Sequence, residues 1–274
     1  MTELYRGMDQ TALRAAYDNV AAVADAAACM LGFQTRSAEL YESVTCRRDI
    51  AYGPRPRQRF DWLPCGNAEA PLFVFIHGGY WQARSKEDFA FVASGPLGCG
   101  FNVVLAEYTL APEATMTQIV GEIGTLLDAL AADTHGLGTR APVCLAGHSA
   151  GGQLSALYRA HESVVHALPV SALVDLEPIA MSWLNDKLQL TPQEIAAYSP
   201  MRHSGHGVPM TIAVGTAELP ELVRHSQEYA AACERAGEQV RFVPLAGRNH
   251  FTILDDLAEP DGVQMRAVMA AMQR

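Results

Sequence analysis

Six cysteines occur in the 274 residues, yet no two stand in a C-x-x-C spacing. That removes the zinc-knuckle and thioredoxin-like readings. Cys29, Cys46, Cys65, Cys99, Cys144 and Cys233 are scattered, and read as reduced thiols of a cytoplasmic protein. No run of about 18 uninterrupted apolar residues occurs, so no membrane-spanning helix is expected. The opening "MTELYRGMDQ" carries acids and lacks an apolar stretch, so it does not read as a signal peptide. Positive charge is in deficit: 20 Lys and Arg stand against 30 Asp and Glu, a formal net charge of −10. This argues against sequence-independent nucleic-acid binding, which needs clustered cations to displace counterions. Internal repeats and low-complexity linkers are also missing. What remains is one α/β unit spanning 1–274, with 49% hydrophobic residues, enough to close a core without staples.

The pattern that is present alternates two periods. Residues 8–32 are Ala-rich with apolar positions at helical spacing. Segments 43–53 and 57–64 alternate polar and apolar residues, as an antiparallel edge hairpin does. Short apolar runs rich in β-branched residues follow at 71–77, 102–108, 142–148, 170–176, 209–215 and 240–245. Helical periodicity separates them at 85–96, 116–132, 151–162 and 220–236, and closes the chain at 262–273. Apolar strands alternating with helices predict a mostly parallel central sheet covered on both faces. One stretch breaks the rhythm: "EPIAMSWLNDKLQLTPQEIAAYSPMRHSGHG", residues 177–207, stands between two strands as an insertion with the character of a lid.

Chemistry concentrates at strand ends. Gly147-His148-Ser149-Ala150-Gly151 fits G-x-S-x-G, with an apolar run before it and a helical stretch after it. That context places Ser149 on a tight strand-to-helix turn as a candidate nucleophile. "FIHGGYWQ" (75–82) ends the first long strand. Its glycines let backbone N–H groups approach a substrate oxygen, which makes Gly78, Gly79 and Tyr80, with Ala150, the candidate oxyanion donors. Each such donor is worth about 2.7–4 kcal/mol of transition-state stabilisation. His77 is expected to hold the loop rather than to react. Hydrolases of this organisation run Ser, then Asp or Glu, then His along the chain. His250, just past the last strand, is the candidate base. Glu218, three residues after Gly215, is the first candidate acid, with Asp175 after an earlier strand as the second and Glu221 as a rival near Glu218. Tyr80, Trp81, His148 and Trp183 are candidate pocket residues, where an aryl group could stack. Arg202, His203 and His206 are candidates to meet a substrate carboxylate.

Taken together, "IHGGYWQ", "AEYTLAPEATMTQIVGEI", "AGHSAGG", "VDLEPI", "VGTAELPELVRHSQEYA" and "NHFTIL" resemble the kynurenine formamidase (arylformamidase) group of α/β-hydrolases. The N-terminal segments also resemble that group, so the likeness covers nearly the whole chain. General esterases of the related lipase group carry a third glycine where Tyr80 stands. The resemblance implies hydrolysis of the N-formyl group of N-formyl-L-kynurenine, giving kynurenine and formate. It implies Ser149 as nucleophile, Glu218 as acid and His250 as base, with no metal or other cofactor. Glu218 departs from the aspartate more common in α/β-hydrolases. The expected partner is a small-molecule substrate, with neither nucleic acid nor membrane involved and a homodimer compatible with the chain. A carboxylesterase acting on small acyl or aryl esters is the alternative, since it would use the same residues in the same order.

Overall fold

The computed structural model describes residues 3–138 and 141–272. Two helices lead, α1 (Gln10–Tyr17) and α2 (Ala26–Ser43). The single helix expected over 8–32 is therefore two. The break has a local cause. The Asp18 carboxylate accepts the Ala21 N–H at 3.1 Å, and the Asn19 amide is drawn away to the Tyr80 hydroxyl at 2.8 Å. Short polar side chains of this kind offer the backbone an alternative to the helix.

The strands are β1 (Arg47–Ala51), β2 (Arg59–Leu63), β3 (Leu72–Ile76), β4 (Asn102–Ala106), β5 (Val143–His148), β6 (Val164–Val170), β7 (Met210–Gly215) and β8 (Val240–Leu245). Among the described residues they form one eight-stranded sheet in the order β1-β2-β4-β3-β5-β6-β7-β8. The β1–β2 and β2–β4 pairs are antiparallel, and the others are parallel. Further helices are α3 (Ser94–Gly98), α4 (Met116–Ala131), α5 (Ala150–Leu157), α6 (Glu177–Ala180), α7 (Asn185–Leu188), α8 (Pro192–Tyr198), α9 (Pro220–Arg235), α10 (Ile253–Leu257) and α11 (Val263–Met272). The expected helix at 85–96 is largely a 3-10 turn, Lys86–Ala93, preceded by a capping box at Ser85.

Strand side chains alternate between the two faces. Leu72, Val74 and Ile76 of β3 join one apolar core, while Phe73 and Phe75 join the core on the other side. The sixth strand lies six residues earlier than 170–176. It occupies Val164–Val170, and residues 171–176 form a buried connection outside the strand. Ala172, Leu173 and Val174 are apolar because this connection is buried, not because it belongs to a strand. Parallel pairing leaves each strand's carboxyl end at one edge, and the loops after β3, β5, β6, β7 and β8 gather there.

Two buried histidines give the fold an acid sensitivity. Burial pushes His166, bonded to Thr211 Oγ1 at 3.0 Å, down to about 4. Burial, aided by the Arg224 charge, likewise lowers His225 to about 4. Both values lie below the unfolded value of about 6.5, so between these limits the unfolded chain binds more protons. Stability is then complete above about pH 6.5 and falls as pH drops towards 4, by up to about 1.4 kcal/mol per unit for each histidine. Urea midpoints measured from pH 8 to pH 5 should decline in that window, and His166→Asn should flatten the slope. A midpoint that rises on acidification would contradict this.

Candidate active site

The turn after β5 brings Ser149 to φ 56° and ψ −114°, a strained conformation for a non-glycine residue. Its neighbours explain how it is held. A Cβ on Gly147 would lie 2.1 Å from the Gly151 carbonyl oxygen, and one on Gly151 would lie 2.0 Å from the Ile76 carbonyl oxygen. The Ser149 N–H donates to Val170 O at 2.8 Å, tying the turn to β6. Ala150 is the first residue of α5, so its N–H lacks an intrahelical acceptor and is free to meet an oxyanion.

The loop after β3 closes over this turn. A Cβ on Gly78 would come within 3.2 Å of Ser149 Cβ and 3.1 Å of His148 O. Gly79, Tyr80 and Trp81 all take positive φ, at 113°, 52° and 59°. His77 anchors the loop, its ring nitrogens 2.7 Å from Gly78 O and 2.9 Å from Glu107 Oε1. Burial alone would raise the Glu107 carboxyl, but His77 and Arg57 hold it below its ordinary value. Glu107 also accepts the N–H groups of Lys86 and Tyr108. Sequence reasoning missed Glu107, although an acid at the end of a buried strand was a visible signal.

Glu218 and His250 meet. His250 Nδ1 lies 2.7 Å from Glu218 Oε2, with both residues buried. The other carboxylate oxygen accepts Gly215 N–H at 2.8 Å and the Ser171 hydroxyl at 2.5 Å. Ser171 too was missed, because it stands inside what reads as a strand. His148 Nε2 donates to His250 O at 2.9 Å, and the two rings are 4.5 Å apart. Burial, and then the neighbouring His250, push His148 well below the ordinary histidine value, so it stays neutral. It supports the His250 main chain and does not face an open pocket.

Asp175 does not reach His250. It accepts the Tyr5 hydroxyl at 3.0 Å and the Glu177 N–H at 3.1 Å. Glu221 is taken by Tyr17 and Arg224. Trp81 is fully buried in the core, its indole N–H donating to Gln153 Oε1 at 3.1 Å, so it offers no face to a ligand. Burial pushes the Tyr80 phenol far up; its hydroxyl donates to Tyr17 O and accepts from Asn19. Trp183 is partly buried, with the Arg14 guanidinium 5.0 Å above its ring. Arg202, His203 and His206 line a separate cavity of about 390 Å³ that includes neither Ser149 nor His250. Another cavity, about 320 Å³, lies between Val20, Met30, Leu31, Arg84 and Phe251. Two of its lining residues are linked to the site residues: Phe251 follows His250 in the chain, and the Arg84 stem packs 2.9 Å from where a Gly79 Cβ would stand. No helix among the described residues is long and apolar enough to cross a membrane.

Residues 73–254 match the family model described as the alpha/beta hydrolase fold. The chain is 30% identical over 228 residues to a kynurenine formamidase of Danio rerio, covering 77% of this chain and 76% of that one. It is 28% identical to the Salmo salar kynurenine formamidase over 78% of this chain and 77% of that one. A crystal structure of a candidate thioesterase from Silicibacter sp. TM1040 superposes with a TM-score of 0.86 at 28% identity, over 94% of this chain and 98% of that one. A thermostable carboxylesterase cloned from a metagenomic library shares the fold at 18% identity and a TM-score of 0.75, over 99% of this chain and 100% of that one.

Proposed function

We propose a function from this premise: the chain belongs to the α/β-hydrolase fold family, and within it to the group of the kynurenine formamidases. It is a serine hydrolase that cleaves the N-formyl amide of N-formyl-L-kynurenine or a closely related aryl formamide. The observation that carries the chemistry is the Glu218–His250 pair, at 2.7 Å, beside the strained Ser149 turn.

His250 removes the Ser149 proton as the hydroxyl oxygen attacks the formyl carbon. The oxyanion rests on backbone N–H groups of Gly79 and Ala150, with Gly78 and Tyr80 shaping the loop. His250 then returns the proton to the departing aryl amine, whose delocalised lone pair makes it a better leaving group than an alkyl amine. The formyl-serine is hydrolysed by water in the reverse sense. The close cover of Ser149 by Gly78 suits an acyl group as small as formyl.

We assign the aryl body and carboxylate of the substrate to the cavity lined by Phe251 and Arg84. Its walls are mostly apolar, and the Arg84 guanidinium has no carboxylate partner among the described residues. Ser149 is itself buried, at 2% exposure. Segment 177–207 is therefore read as a lid, resting on the oxyanion loop through Gln82 Nε2 to Leu184 O at 2.7 Å and on α1 through Gln10 to Met181 O. A cytoplasmic setting fits the six free cysteines.

The test compares N-formyl-L-kynurenine with p-nitrophenyl acetate. The formamide should have the larger kcat/KM by about tenfold or more, about 1.4 kcal/mol of differential transition-state binding. Arg84→Met should raise KM for N-formyl-L-kynurenine and leave N-formylaniline, which has no carboxylate, unchanged. Rapid ester turnover with the formamide untouched would make the enzyme a carboxylesterase.

A further inference from the structure

We infer that Ser171 is a positioning residue of the catalytic triad, whose hydroxyl holds the Glu218 carboxylate so that one oxygen stays aimed at His250. This rests on the triad reading above and goes beyond it, since neither G-x-S-x-G nor the Ser-acid-His order includes this serine.

Ser171 is fully buried and has φ 50°, the left-handed region that favours glycine. Its backbone is fixed from both sides. Its own N–H donates to Ala213 O at 2.8 Å, and the preceding Val170 O accepts the Ser149 N–H at 2.8 Å. One chain step therefore connects the nucleophile's amide to the residue that meets the acid. Glycine would satisfy this backbone with less strain. What serine adds is a hydroxyl, and that hydroxyl donates to Glu218 Oε1 at 2.5 Å.

Glu218 needs such a partner. A glutamate has one more side-chain torsion than an aspartate, so its carboxylate can turn away from the imidazole more easily. Gly215 N–H and Ser171 Oγ together fix Oε1, and Oε2 is left for His250 Nδ1. The imidazole is then kept with hydrogen on Nδ1 and the Nε2 lone pair free for the serine proton.

Ser171→Gly and Ser171→Ala separate this role from a structural one. Both lose the hydroxyl, but glycine relieves the backbone while alanine keeps it strained. Ser171→Gly should therefore have the higher urea midpoint of the two. A structural role would make the stabler variant the faster enzyme. A positioning role makes both slow, roughly tenfold to a hundredfold, by the labelling rate of Ser149 with a fluorophosphonate. Labelling is chosen because it needs an activated serine but no particular substrate. The deciding comparison repeats Ser171→Gly in a Glu218→Ala background, where it should change the rate less than about twofold, because the carboxylate it positions is gone. Wild-type rates for Ser171→Gly, or the same loss in both backgrounds, would overturn the inference and leave the triad standing. Full-rate labelling of Glu218→Ala, or no labelling of the wild type, would instead bring down the triad reading, and this inference with it.

Discussion

Ser149→Ala should lower kcat by about 10⁵–10⁶-fold with little change in KM, because it removes the bond-forming atom and leaves the binding surfaces intact. His250→Ala should do the same, since a serine without its base is a poor nucleophile at neutral pH. The double variant should be no slower than either single one, because the residues act as a unit. The residual rate would come from the oxyanion donors and from binding alone. Steady-state rates on the formamide, with circular dichroism to show that each variant is folded, check this. Ser149→Ala retaining more than about 1% of the wild-type rate would exclude the serine mechanism. Because Ser149 and His250 are themselves buried, at 2% and 6% exposure, their polar groups carry a folding cost in the native chain. Ser149→Ala is therefore expected to keep or slightly raise stability while abolishing turnover.

The second large effect is on stability, at Gly151→Ala. A methyl there would stand 2.0 Å from Ile76 O and 2.6 Å from His77 O, both backbone atoms of the strand and loop that carry the candidate oxyanion donors. Neither can retreat without pulling β3 away from β5. The cost should be at least about 3 kcal/mol, a large share of the roughly 5–15 kcal/mol that holds a domain together. For a chain of this size that corresponds to a Tm lower by roughly 6–12 °C. Gly121→Ala is the control. Gly121 lies in α4, and a Cβ there meets nothing within 4 Å. It should stabilise the chain by about 0.5–1 kcal/mol through helix propensity and lost unfolded-state entropy. Thermal melts of the two variants should move in opposite directions. A Gly151→Ala melt close to wild type would mean that the elbow tolerates a wider separation between strand and helix than its geometry indicates.

Much of the candidate site is legible in the amino-acid sequence. Ser149 carries a local signature, since the glycines around it are demanded by close backbone approach and the strand-turn-helix context is continuous in the chain. His250 and Glu218 were legible through order and strand-end position, which parallel topology translates into proximity. Asp175 shows the limit of that reasoning. It also follows a strand-like segment and has the right chemistry, but the strand ends at Val170, which carries Asp175 away to meet Tyr5. Val164–Val170 holds a histidine and a proline, whereas 170–176 alternates apolar residues with Ser171 and Asp175, so a buried connection passed for a strand. Trp81 shows a second limit. An aromatic beside a reactive loop invites a stacking role, but its indole N–H finds Gln153 across the core, a pairing 72 positions apart in the chain.

The alternation of apolar strands and helices, the nucleophile turn and the chain order of the triad candidates are set by local sequence. They depend on period, on glycine and on position at strand ends, and each of these acts over a few residues. Tertiary structure alone decided the rest. Ser171 became the partner of Glu218, Glu107 the anchor of His77, and His148 a neutral support for His250. Each of those bonds joins residues brought together by the side-by-side alignment of parallel strands, at separations of 47, 30 and 102 positions. No local periodicity encodes such a meeting; it is settled by which buried polar atoms find partners once the sheet has closed.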